Sequence, residues 1–189
     1  YAGHLYNRGR KRQQWTSMQL KGLIQALQRS GVKVIFGFFN FATYTNDERK
    51  GVSTEFVAAL PEICTMRWNA QYQQTCVDVL KRMEDGSYYQ DYLIKKVKEV
   101  LDGYGFDGVQ IADGISCFRT TVQQSDFSDD TIEQFCNWLA DNGKDIPQTL
   151  ASVGMDAEAF MQRRAYVLEH MKYDFLLFTN YRWKRFYDN

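Results

Sequence analysis

The chain has 189 residues, 44% of them hydrophobic, with 23 basic side chains set against 23 acidic ones. One domain with an ordinary packed core is the expectation for such a length and composition. The balanced charge excludes a general attraction to nucleic acid or to an anionic membrane, and no apolar run reaches the roughly 18 residues of a membrane span.

No signal peptide opens the chain, and Tyr1 is not an initiator residue, so a chain trimmed from a longer one is expected. Residues 1–15 read as irregular. Their basic run, Arg8, Arg10, Lys11 and Arg12, fits a solvated loop better than a phosphate-binding arm, because no other basic cluster extends it. A helix follows. Thr16 and Gln19 have capping-box spacing, which satisfies orphan amides at the helix start. Leu20, Leu23, Ile24 and Leu27 form one apolar stripe, and Gly31 supplies a left-handed stop. Residues 32–41, VKVIFGFFNF, then read as a strand buried on both faces, with Gly37 allowing close approach of a neighbouring backbone.

The same pattern recurs further along. Ser87 and Gln90 have capping-box spacing, and Leu93, Val97, Val100 and Leu101 form a stripe. Gly103 and Gly105 punctuate, and residues 106–113, FDGVQIAD, form a second apolar strand. Two helix–glycine–strand units predict a parallel α/β arrangement with the two strands side by side or nearly so. Between them, residues 42–86 form a long insertion at the carboxyl end of the first strand, with helix expected around residues 54–60 and 71–80. A short βα connection needs only a few residues, so an insertion there is expected to shape a cleft or to form a subdomain. It contains Arg67, Trp68, Tyr72, Glu84 and Asp85.

Beyond the second strand, residues 114–127 form a loop. Ser128, Asp129 and Asp130 open a helix whose apolar face is Ile132, Phe135, Cys136 and Leu139, and Asn142-Gly143 ends it. Pro147 starts a short helix. Residues 156–170 and 173–189 read as helical, the last carrying Phe175, Phe178, Trp183 and Phe186. No stop signal closes that segment. Four cysteines, Cys64, Cys76, Cys117 and Cys136, lack C-x-x-C spacing, which argues against a structural zinc site. Aromatic residues make up 15% of the chain. Either a large aromatic core or a cleft lined with flat rings accounts for them.

Asp113 is the sharpest chemical candidate. It ends an apolar strand and is followed at once by Gly114, which suits a nucleophile, a general acid or base, or a metal ligand. A turn cap is the alternative reading. Asp107, at the opposite end of the strand, reads as turn chemistry. Asp129 and Asp130 lie where capping acids sit, whereas Asp126 is less explained by capping. Asn40 is unusual in an apolar run, and Tyr44 lies just beyond it. Ser116 and Arg119 lie in the loop after Asp113. His4 and His170 are isolated, and no nucleophile elbow, phosphate loop or dinucleotide glycine motif is present.

Residues 104–114, YGFDGVQIADG, resemble the fourth-strand region of retaining TIM-barrel glycoside hydrolases, where a glycine-aspartate-glycine turn leads into a strand ending in a catalytic Asp. LIKKVKEVLDGYGFDG is similar to the helix that feeds that strand, and SGVKVIFGFFNF to an early strand of the same enzymes. DFSDDTIEQF and the closing YDFLLFTNYRWKRFYDN look like segments before the fifth strand. The chain departs from alpha-amylase-like enzymes, which place the nucleophile where Ala112 stands. It also departs from the D-x-x-D-x-D-x-E run of chitinase-like ones, broken at Gln110, Ala112 and Gly114. The resemblance implies part of a (β/α)8 TIM barrel, an α/β fold, with the 42–86 insertion. Such a barrel needs roughly 250 residues, so the rest of the same polypeptide is expected to complete it.

The activity implied is hydrolysis of an oligosaccharide or glycoconjugate by paired carboxylates, without cofactor or metal. Asp113 is the first carboxylate and Asp126 the candidate second. The pair stands about 5–5.5 Å apart for retention and about 6.5–9.5 Å for inversion. Trp68, Tyr72 and Tyr44 are expected to stack on sugar rings, Asn40 to bond either a sugar hydroxyl or loop backbone, and Ser116 and Arg119, by position, to contact substrate. Two alternatives are a non-catalytic carbohydrate-binding module and a magnesium- or calcium-dependent hydrolase using Asp113 and Asp126.

Overall fold

A computed structural model describes residues 16–38, 55–66, 69–111, 122–151 and 156–189. In chain order the elements are α1 (Ser17–Arg29), β1 (Ile35–Phe38), α2 (Glu55–Ala59), β2 (Cys64–Met66), β3 (Tyr72–Val77), α3 (Tyr89–Tyr104), β4 (Gly108–Ile111), α4 (Asp129–Asp141), α5 (Gln148–Ala151), α6 (Ala157–His170) and α7 (Lys172–Asp188). Single 3-10 turns span Pro61–Ile63 and Val122–Gln124.

Helix α1 begins with the capping box that its sequence spells. The Gln19 amide donates to Thr16 Oγ1 at 3.2 Å, and the Thr16 amide donates to Gln19 Oε1 at 2.9 Å. Two orphan donors are thereby satisfied reciprocally. The second predicted box does not form. Ser87 donates both its amide and its hydroxyl to Asp85 Oδ1, at 2.9 and 2.6 Å, and α3 starts after Tyr88 without a side-chain cap. The short Asp85–Ser87 turn competes successfully for the serine. Helix α3 ends as its glycines suggest, with Gly105 in the left-handed region at φ 75° and its amide bonded to Leu101 O at 2.7 Å.

Strands β1 and β4 pair in parallel, with Ile35 opposite Gly108 and Phe38 opposite Ile111. The two helix–glycine–strand repeats therefore do bring their strands together. The expected barrel is not what surrounds them. Among the described residues this parallel sheet has two strands, and β2 and β3 make a separate antiparallel pair. Nor is the ribbon buried on both faces: Ile35, Val109 and Ile111 are 48%, 40% and 41% exposed. Helices dominate the described chain, and the buried core lies mainly among them. Among the described residues the fold is thus mainly helical with one two-stranded parallel ribbon, not a TIM barrel. Apolar β-prone runs identify strands well, but they do not reveal how many neighbours each strand will have.

Within the insertion, α2 lies where helix is expected. The predicted helix over 71–80 is instead strand β3, paired with β2 from Cys64 opposite Val77 to Met66 opposite Tyr72. Tyr, Thr and Val are residue types that strands favour, and pairing with β2 decides between the two readings.

Two apolar clusters form the core. The first gathers Val57, Ile63, Cys64, Val77, Val79, Leu80, Tyr89, Leu93 and Phe186. The second gathers Phe127, Ile132, Phe135, Cys136, Leu139, Leu150, Phe160, Val167, Phe175 and Phe178. The α4 stripe read from sequence thus lies fully in the second cluster. Phe127 stacks on Phe175 at 5.0 Å between ring centroids, and Phe135 meets Phe175 edge-on at 5.2 Å. Such aromatic pairs add about 0.5–1.5 kcal/mol beyond their buried area. Phe135 of α4 and Phe175 and Phe178 of α7 therefore serve a core, whereas Tyr173, Tyr181 and Tyr187 of α7 face solvent.

Asp107 has a larger role than a local turn. Its carboxylate accepts from the Val34 amide at 2.8 Å, Gln28 Nε2 at 2.9 Å and Lys33 Nζ at 3.2 Å, so it ties the lead into β1 to the lead into β4. The Val34 amide, with the Gln28 and Lys33 donors, holds its carboxyl down at about 2. A depressed carboxyl stabilises the fold above its unfolded value of ~3.9, and that contribution fades as pH falls toward the folded value. Replacing Asp107 by Ala is expected to lower the thermal midpoint at pH 7, with the gap to wild type narrowing between pH ~4 and the folded value of about 2. Thermal melts of both proteins across that range check it.

Candidate functional site

Of the residues singled out from the sequence, Asn40, Tyr44, Trp68, Asp113, Ser116 and Arg119 lie outside the described residues. Tyr72 and Asp126 lie within them, and the fold brings both to one residue that the sequence reading passed over, Lys81. Its Nζ lies 3.0 Å from Asp126 Oδ2 and donates to Cys64 O at 3.2 Å. It also sits 5.3 Å from the centre of the Tyr72 ring.

Three local features build this arrangement. The β2–β3 pair places Cys64 and Tyr72 on adjacent strands. The chain then leaves β3 through a turn in which Asp78 Oδ1 accepts the Leu80 amide at 2.9 Å, and this turn leads into Lys81. Asp126 arrives from the segment before α4. There its two carboxylate oxygens accept from the Ser128 amide at 2.6 Å and the Met66 amide at 3.3 Å. The Lys81 side chain is 1% exposed and that of Asp126 4%. Two charges so deeply withdrawn from water persist only when paired and hydrogen-bonded.

Further charges extend the same belt. Arg182 of α7 donates to Leu80 O at 2.7 Å and stands 3.7 Å from Asp78 Oδ2. Gln134 Nε2 donates to Leu80 O at 3.2 Å and to Asp130 Oδ2 at 2.8 Å. Asp130 also accepts from the Arg82 amide at 3.0 Å and from Arg82 Nε at 2.6 Å. Arg82 reaches Glu133 as well, at 2.9 Å. Asp129 pairs with the buried Arg163 of α6. The acids expected to cap α4 thus lie in its first turn but direct their carboxylates to arginines, and Ser128 provides no side-chain cap bond. Residues 78–82 carry partners from α4, α7 and the Asp126 segment at once.

The electrostatics follow from this burial. Desolvation works against the Lys81 ammonium, but the carboxylates of Asp126 and Asp78 outweigh it and hold Lys81 above the usual lysine value. Burial raises Asp78 above the usual carboxyl value, with Arg182 opposing. Burial also pushes the Cys64 thiol up to about 11, against the pull of Lys81, and raises Tyr72. An ammonium so held has no lone pair with which to attack a carbonyl, and a thiol so raised is not a nucleophile at neutral pH. The Asp126 carboxylate is engaged by one ammonium and two amides, as a structural charge is. Tyr72 remains 37% exposed, so its ring is still reachable from solvent.

Among the described residues no group of three or more His, Cys, Asp or Glu side chains could hold a metal ion, and no helix is long and apolar enough to cross a membrane. The groove lined by Asp91, Lys95, Lys98, Asp102 and Asn189 runs along α3 and includes neither Tyr72 nor Asp126. Comparison with known proteins finds no matching family, no similar curated protein and no similar solved structure.

Two outcomes follow from the Lys81 belt. Replacing Lys81 by Met is expected to cost about 3–5 kcal/mol, because Asp126 is left buried without its counter-charge. The double variant K81M/D126N should recover more than half of that loss, as urea unfolding of the wild type, both single variants and the double variant will measure. A lysine raised above its unfolded value stabilises fully below that value of ~10.4 and loses its contribution as pH rises through the folded one. The alkaline decline in stability should therefore be shallower in K81M. Separately, Cys64 should resist alkylation by iodoacetamide at pH 8 in the native protein and react once urea unfolds it, as peptide mapping by mass spectrometry will show.

Proposed function

We propose that this chain acts on carbohydrate as a glycoside hydrolase, with Asp113 as its acid group. One observation carries the reading: the parallel, in-register pairing of β1 and β4, whose carboxyl ends are level at Phe38 and Ile111. In parallel sheets with helical crossovers, ligands gather beyond the carboxyl ends of the strands. Two residues past Phe38 the sequence reads Asn40, and two residues past Ile111 it reads Asp113. An amide and a carboxyl therefore follow neighbouring strand ends at equal offsets. That combination suits binding a sugar hydroxyl beside a proton donor to a glycosidic oxygen. The resemblance of residues 104–114 to a glycosidase strand supports the same assignment. Trp68 and Tyr44 remain the proposed stacking residues together with Tyr72, with Ser116 and Arg119 as further substrate contacts.

Asp126 is not retained as the second carboxylate, because Lys81 and two backbone amides already occupy it. That commitment favours one second reading, a carbohydrate-binding module without hydrolysis. The purified protein, wild type and Asp113→Asn, should be assayed on a panel of aryl glycosides and natural oligosaccharides, with glycan binding followed by calorimetry. Hydrolysis by the wild type that falls at least ~10²-fold in the variant, with binding retained, is the expected outcome. Undiminished turnover by the variant removes Asp113 from the chemistry. Binding without turnover by the wild type selects the second reading, and neither binding nor turnover overturns both.

A further inference from the structure

We draw no further inference here: the strongest candidate, the partly exposed apolar face that Val109 and Ile111 leave on the two-stranded β1–β4 ribbon, carries nothing because nothing in the structure shows what covers it.

Discussion

The described structure depends most on the fully buried ammonium of Lys81 and its pairing with the buried Asp126 carboxylate. Lys81 makes one ion pair and one carbonyl bond, and each reaches a different part of the chain: the segment before α4 through Asp126, and strand β2 through Cys64 O. Neighbouring backbone atoms of the same strip engage Arg182, Gln134 and Asp130. A buried polar network of this kind does not surpass a well-packed apolar one in stability, but it penalises every arrangement that leaves a member unpaired. It therefore constrains how the β2–β3 pair, α4 and α7 sit against one another more tightly than the apolar contacts alone.

Local features were legible in the sequence where one short signal decides the outcome. The α1 capping box, the left-handed Gly105 and the apolar stripe of α4 each depend on side chains within a turn or two of each other, and each forms. Signals with a nearby competitor misled. Ser87 had Asp85 two residues away, and the turn took it. The segment 71–80 carried too little periodicity to separate helix from strand, and β2 provided the deciding partner. Lys81 gave no linear signal, because a lysine after an apolar stretch is ordinarily solvated. Only the fold brings Asp126 to it.

The global expectation failed for a different physical reason. Two buried-looking strands with feeding helices are compatible with any parallel α/β arrangement, and the step to a closed barrel adds strands that the pattern does not contain. The described chain instead gathers most of its buried phenylalanines in the cluster around helices α4 to α7, and leaves Ile35, Val109 and Ile111 of the β1–β4 ribbon exposed. The pairing survives as a local fact, fastened at its amino end by the three donors on Asp107, and the proposed chemistry concerns its opposite end.

Helix α7 contributes Phe175 and Phe178 to one apolar cluster and Phe186 to the other. It also bonds across 102 positions of sequence, from Arg182 to Leu80 O. A ribosome releases this helix after every other described element. The cluster built largely on residues 57–93 therefore waits, lacking one wall, until α7 has emerged about ninety residues later, and does not close on its own emergence.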